Sequence, residues 1–157
     1  MAAPSTHTSV ATATIPTAAP DDVLALLTAP EAIATWAPVP FEIDEIDGRR
    51  LRAGSRARVS GGLAGRRVAF EVDVHRADAG GLALTAEGPV GFDVEYLVTP
   101  TDGGSEVRAS VSVRRGDGLL GRLLAQATGA LLSGGALDVA LGRIARELTG
   151  DVELLAA

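Results

Sequence analysis

Arg67-Val68-Ala69-Phe70-Glu71-Val72-Asp73-Val74-His75 alternates apolar and polar side chains almost without a break. Successive side chains of a strand point to opposite sides. Val68, Phe70, Val72 and Val74 therefore share one face, and Arg67, Glu71, Asp73 and His75 share the other. One oily face and one charged face predict an antiparallel sheet with one side in water. The same period recurs twice downstream. Phe92, Val94, Tyr96 and Val98 alternate with Asp93, Glu95 and Thr99, and Val107, Ala109, Val111 and Val113 alternate with Arg108, Ser110, Ser112 and Arg114. Turn signals at Asp47-Gly48, Gly61-Gly62, Gly80-Gly81, Gly88-Pro89 and Asp102-Gly103-Gly104 divide the region from Phe41 to Arg115. About six consecutive strands joined by hairpins result, since the spacers are too short for helical crossovers.

On either side of this region the period changes. Thr8 to Ile15 reads as a first strand stopped by Pro16, and residues 1–7 as a frayed terminus. Ala19-Pro20-Asp21-Asp22 then starts a short helix, with proline in its first turn and carboxylates at its positive end. Pro30-Glu31 starts a second, carrying Ile33 and Trp36 and stopped by Pro38. After Gly116-Asp117-Gly118, a stripe of Leu120, Leu123, Leu124, Ala127, Leu131, Leu137, Leu141, Ile144 and Leu148 advances in steps of three and four. This predicts one long helix from Gly118 to near Gly150, with Gly134-Gly135 as a kink or break. It is the element long and apolar enough to cover the sheet. The expectation is a single α+β domain over residues 1–157.

Composition narrows the function. Of 157 residues, 46% are hydrophobic and 22% charged, so the chain is not intrinsically disordered. It has no cysteine, which removes disulfides, thiolate metal sites and cysteine nucleophiles. All 14 basic residues are arginine, so neither a Schiff-base nor a P-loop lysine exists. A net charge of −6 and a pI near 4.8 argue against a nucleic-acid partner. The Ala, Gly, Arg and Val wealth without lysine fits the GC-rich codon usage of actinobacteria. Met1 to Val10 lacks the basic start and apolar core of a signal peptide, and Leu119 to Leu141 is interrupted by Arg122, Gln126 and Asp138. A cytoplasmic location is expected.

Several stretches carry a resemblance. Ile15-Pro16-Thr17-Ala18-Ala19-Pro20-Asp21-Asp22-Val23 resembles the strand-to-helix corner of the START-like (SRPBCC) superfamily. Ala29-Pro30-Glu31 with Trp36 and Pro38 is similar to its second helix, with Ala29 in place of aspartate. Leu51-Arg52-Ala53-Gly54-Ser55-Arg56 resembles the start of its third strand, and Asp102-Gly103-Gly104-Ser105-Glu106-Val107 its late hairpin. Gly118-Leu119-Leu120-Gly121-Arg122-Leu123-Leu124 is similar to the last helix of the polyketide cyclase/dehydrase-like branch. It is similar also to that helix in the branch named for a subunit of carbon monoxide dehydrogenase. The resemblance implies a helix-grip fold, a seven-stranded antiparallel sheet curved around a long C-terminal helix with two short helices after strand one. It specifies fold far more than chemistry.

The residues themselves leave little room for conspicuous catalysis. His7 lies in the terminus, and His75 falls on the charged face, where it completes no triad. No grouping has metal-ligand spacing, so neither a metal nor another cofactor is expected. The inward face is more informative, because many of its positions carry alanine, valine or glycine and leave space for a ligand. Trp36, Phe41, Phe70, Val72, Leu84, Phe92, Val94, Val111 and Leu124 are the expected ligand contacts, with Trp36 at the mouth. Tyr96 is the expected catalytic group, a phenol among hydrocarbons, with Arg115 and Glu45 as further polar helpers. Two functions fit. One is a cyclase or dehydrase-like protein that folds a polyketide by confinement. The other is a non-catalytic carrier of a lipid or quinone, of the carbon monoxide dehydrogenase-associated type, in transient contact with a membrane.

Overall fold

The computed structural model describes residues 7–36, 41–63, 65–114 and 118–156; side chains are described for 8–33, 41–62, 65–114 and 118–149. The sheet strands are β1 (His7–Pro16), β2 (Phe41–Ile46), β3 (Arg56–Leu63), β4 (Arg66–Asp78), β5 (Gly81–Glu87), β6 (Gly91–Pro100) and β7 (Gly104–Arg114). Helices α1 (Pro20–Thr28) and α2 (Pro30–Trp36) lie between β1 and β2, while α3 (Gly118–Ser133) and α4 (Ala136–Ala156) follow the sheet. All seven strands form one antiparallel sheet in the order β1-β7-β6-β5-β4-β3-β2. This is the expected helix-grip arrangement.

Local sequence explains the joints. The Asp22 carboxylate accepts from the Ala19 backbone N–H at 3.1 Å, closing the first turn of α1. Arg50 donates to the Ala25 carbonyl and to Thr28 Oγ1, tying the loop after β2 to the end of α1. The fully buried Ser105 donates from Oγ to the Ala18 carbonyl at 2.7 Å, which pins the start of β7 to the corner after β1. At Gly81 a Cβ would lie 1.9 Å from the Tyr96 carbonyl oxygen, so only glycine lets β5 approach β6 there.

The charged face behaves as alternation predicts. Arg56 pairs with Asp73 and Arg58 with Glu71 across β3 and β4, and Arg114 lies against both Glu87 and Asp93. His75 is exposed, with Nε2 2.5 Å from Thr85 Oγ1. It sits in a β-bulge, where the β4–β5 register shifts between Val74 and Arg76. Gly61 and Gly62, expected in a turn, instead belong to β3 and pair with Val68 and Arg67. The reversal comes later, between the paired residues Leu63 and Arg66, with Gly65 at φ 74°.

The C-terminal segment differs from one continuous helix. α3 and α4 meet at Gly134-Gly135 with a bend of 58°, Gly135 adopts φ 93°, and α4 runs through Gly150 to Ala156. α4 packs across β1 with Leu137, Ala140, Leu141 and Ile144 buried. α3 buries Gly121, Leu124, Thr128 and Leu132. Leu120, Leu123 and Leu131, expected in the buried stripe, are 42%, 46% and 43% exposed, and Leu119 is 85% exposed. The break re-aims the first half, so α3 rests on a face of Gly121, Leu124, Thr128 and Leu132 and turns Leu119, Leu120 and Leu123 outward. Among the described residues no single helix is long and apolar enough to cross a membrane.

Candidate functional site

Between the inner face of the sheet and the helices lies an apolar cavity of about 140 Å³. Its wall is built by strand parity. Phe41 and Ile43 come from β2, Ala57 and Val59 from β3, Phe70 and Val72 from β4, and Leu82, Leu84 and Ala86 from β5. Phe92, Val94 and Tyr96 follow from β6 and Val111 from β7. The helices close it with Ile33 of α2, Thr128, Leu131 and Leu132 of α3, and Ala136 of α4, and Leu51 enters from the loop after β2. Leu131 both lines the cavity and is 43% exposed, so the space reaches the surface beside it.

Three phenyl rings run along this wall. Phe41 meets Phe70 edge-on with centroids 5.8 Å apart, and Phe70 meets Phe92 at 5.3 Å with a 48° tilt. The intervening strands let them touch. Phe41 faces Gly61 on β3, which has no side chain to separate the rings, and Phe92 faces Ala86 on β5. At Gly88 a Cβ would lie 2.6 Å from the Phe70 ring. Small residues on alternate strands thus make the aromatic row, whose pairs favour such edge and tilted geometries.

Eight of the expected site residues, Phe41, Phe70, Val72, Leu84, Phe92, Val94, Tyr96 and Val111, meet around this one cavity. Leu124 does not line it. It is fully buried one turn before Thr128, in the seat of α3. The Trp36 side chain and all of Arg115 lie outside the described residues. Glu45 is exposed on the β2 edge opposite Arg58, so it is no helper inside the cavity. Sequence reading missed Leu51 because it sits in a loop, and Thr128 because its hydroxyl broke the apolar stripe. Ala57 was legible from its alternation with Arg56 and Arg58.

The chemistry of the wall is spare. Tyr96 is 1% exposed, and burial alone pushes its phenol well above the ordinary value of 10. The hydroxyl stays protonated throughout the neutral range. It can hold a hydrogen bond, but the raised pKa makes it a weaker proton donor than an ordinary phenol. Thr128 Oγ1 donates to the Leu124 carbonyl at 2.8 Å, so its proton is committed within α3. Among the described residues no group of three His, Cys, Asp or Glu could hold a metal.

Tyr96 is the chain's sole tyrosine, which makes its burial directly measurable. The unfolded phenol loses its proton near pH 10 and the folded one only at higher pH. The folded state therefore binds the extra proton, and stability falls as pH rises above about 10. In an alkaline absorbance titration the phenolate band should appear late and together with unfolding. A smooth ionisation near pH 10 in the folded protein would show the phenol to be in water.

Solved structures with this architecture are similar in fold. TTHA0849 from Thermus thermophilus matches with a TM-score of 0.69 at 18% identity, over 92% of this chain and 99% of that one. DynU16, a protein in the dynemicin biosynthetic locus, matches at 0.58 and 22% over 90% of this chain, which spans 46% of that one. Ara h 8.0201 matches at 0.55 and 18%, over 89% of this chain and 98% of that one. No curated protein matches the chain significantly. The family model described as "Polyketide cyclase / dehydrase and lipid transport" matches residues 6–149, nearly the whole length. The chain that builds this apolar cavity under a broken terminal helix belongs to that polyketide cyclase, dehydrase and lipid-transport family.

Proposed function

We propose that the protein binds a hydrophobic small molecule in the cavity bounded by Phe41, Phe70, Phe92 and Tyr96, and acts on it as a cyclase or dehydrase-like protein. The observation that carries this reading is the wall itself, a continuous hydrocarbon surface with a single phenol and a single committed hydroxyl among its described residues. Confinement that brings the reacting carbons of a flexible chain together contributes roughly 7–11 kcal/mol without any triad. A ligand carbonyl would compete with the contact Tyr96 already makes and be polarised by its hydroxyl as charge develops on the carbonyl.

Size sets a condition. An engineered apolar cavity of about 150 Å³ takes a benzene-sized guest, and drug-sized ligands occupy about 300–1,000 Å³. At about 140 Å³ the space suits one small ring system, so a polycyclic substrate requires widening. α3 is the wall best placed to yield, with its outer leucines in water and Gly134-Gly135 at its end.

Native mass spectrometry of the purified protein for a co-purified small molecule tests the binding reading directly. An apolar probe should bind about one per chain, and Phe92→Trp should weaken it by occupying the space. Saturable binding unchanged by Phe92→Trp would put the ligand elsewhere. With a substrate in hand, Tyr96→Phe should leave fold and affinity nearly intact while lowering turnover by about tenfold or more. Unchanged turnover would remove Tyr96 and leave confinement alone.

The exposed Leu119, Leu120 and Leu123 on the helix that closes the cavity favour a second reading, a carrier that exchanges its cargo at a lipid surface. In that case Tyr96→Phe costs only a hydrogen bond, about 0.5–1.5 kcal/mol of affinity. Transfer of a fluorescent hydrophobe between vesicles, catalysed by the protein with no chemical change in the cargo, separates the two.

A further inference from the structure

We propose that the cavity selects uncharged hydrophobes and rejects their carboxylate counterparts, so that the natural ligand is a neutral ring compound such as a phenol, ketone or hydrocarbon rather than a free acid. This rests on the reading that ligand binds in the cavity and specifies its chemistry. Strand parity carries the argument. The ion pairs Arg56–Asp73, Arg58–Glu71 and Arg114–Glu87 belong to outward positions, and on β2 to β7 each inward neighbour that lines the cavity is apolar except Tyr96. No arginine or histidine is among the described lining residues to receive an anion. The Thr128 hydroxyl already donates its hydrogen bond to the Leu124 carbonyl, and the Tyr96 phenol is the one titratable group in the described wall. That phenol remains neutral through the physiological range.

A carboxylate seated against this wall, away from the opening beside Leu131, has neither solvent nor counter-ion. It enters only by first taking up a proton. For an acid of pKa near 4 this costs about three pH units at pH 7, a factor of roughly 10³ in affinity. Discrimination should therefore be large but bounded, and it should vary with pH in a set way.

The test uses the full chain and two probes of one ring size, 2-naphthol and 2-naphthoate, followed by titration calorimetry at pH 6, 7 and 8. The naphthol is neutral across this range. It should bind one per chain with an affinity independent of pH. The naphthoate should bind roughly 10²–10³ weaker at pH 7, gaining about tenfold for each unit the pH falls. Naphthoate binding within tenfold of naphthol at pH 7, flat with pH and weakened by Phe92→Trp, would overturn the selectivity while leaving the cavity as the ligand site. Binding of neither probe, or binding indifferent both to Phe92→Trp and to the smaller Ala86→Val, would overturn the cavity reading and this proposal with it.

Discussion

The Leu141→Asp protein should show no cooperative thermal transition and only residual far-ultraviolet structure, while Val139→Asp, two residues away on the same helix, should melt like the parent. Leu141 is 1% exposed where α4 crosses the sheet, whereas Val139 is 52% exposed. An unpaired carboxylate at the first position costs several kcal/mol even after relaxation, and losing the leucine adds about 2–5 kcal/mol. Together these rival the roughly 5–15 kcal/mol that holds a domain folded. At the second position the new charge meets water, and the change should fall within about 0.5 kcal/mol. A folded Leu141→Asp protein with a near-normal midpoint would mean that α4 is not seated on the sheet.

Phe70→Ala should be the most damaging truncation in the cavity wall, with a loss of about 3–5 kcal/mol in urea unfolding. The ring is 1% exposed and touches Phe41 on one side and Phe92 on the other. Its removal leaves two aromatic neighbours unsupported and merges a new void with the existing cavity. The enlarged space should accept benzene or toluene, which then restores part of the stability by binding the folded state alone. At a hundred times its dissociation constant such a guest returns about 2.7 kcal/mol. A loss below about 1 kcal/mol, or no recovery with a saturating guest, would show that the wall collapses into the gap.

These predictions draw on parts of the molecule that the sequence exposed unequally. Strand parity made the inward face readable, because a one-residue slip in β4 or β6 would put Glu71 or Glu95 into hydrocarbon. The same logic placed Phe70, Phe92 and Tyr96 on one wall without any knowledge of turns. Helix α3 was less legible for a physical reason. Gly-Leu-Leu-Gly-Arg-Leu-Leu from Gly118 to Leu124 is apolar on almost every side, so its pattern does not choose which leucines are buried. The choice falls to Gly121 and Thr128, whose small size lets the helix settle, and to the bend at Gly134-Gly135. Gly61-Gly62 misled because two glycines usually mark a turn, whereas here Gly61 keeps β3 bare beneath the Phe41 ring. Leu51 and Thr128 could not have been assigned to the wall from periodicity, since one lies in a loop and the other is polar.

The sheet is open, and its two ends meet that fact differently. At one end α4 lies across β1. At the other, β2 is the outer strand of the sheet; it exposes Glu42, Asp44 and Glu45 and is broken by a register shift between Ile43 and Glu45. A second molecule trying to extend the sheet there would meet the carboxylates of Asp44 and Glu45, next to Glu42 in its pair with Arg67, and an irregular hydrogen-bonding edge, the usual guards against edge-to-edge aggregation. The net charge of −6 also keeps copies apart at neutral pH, and that repulsion vanishes toward the isoelectric point near 4.8. The acidic surface is thus a solubility device with a lower pH limit, and mild acid is where this protein should first self-associate through its β2 edge.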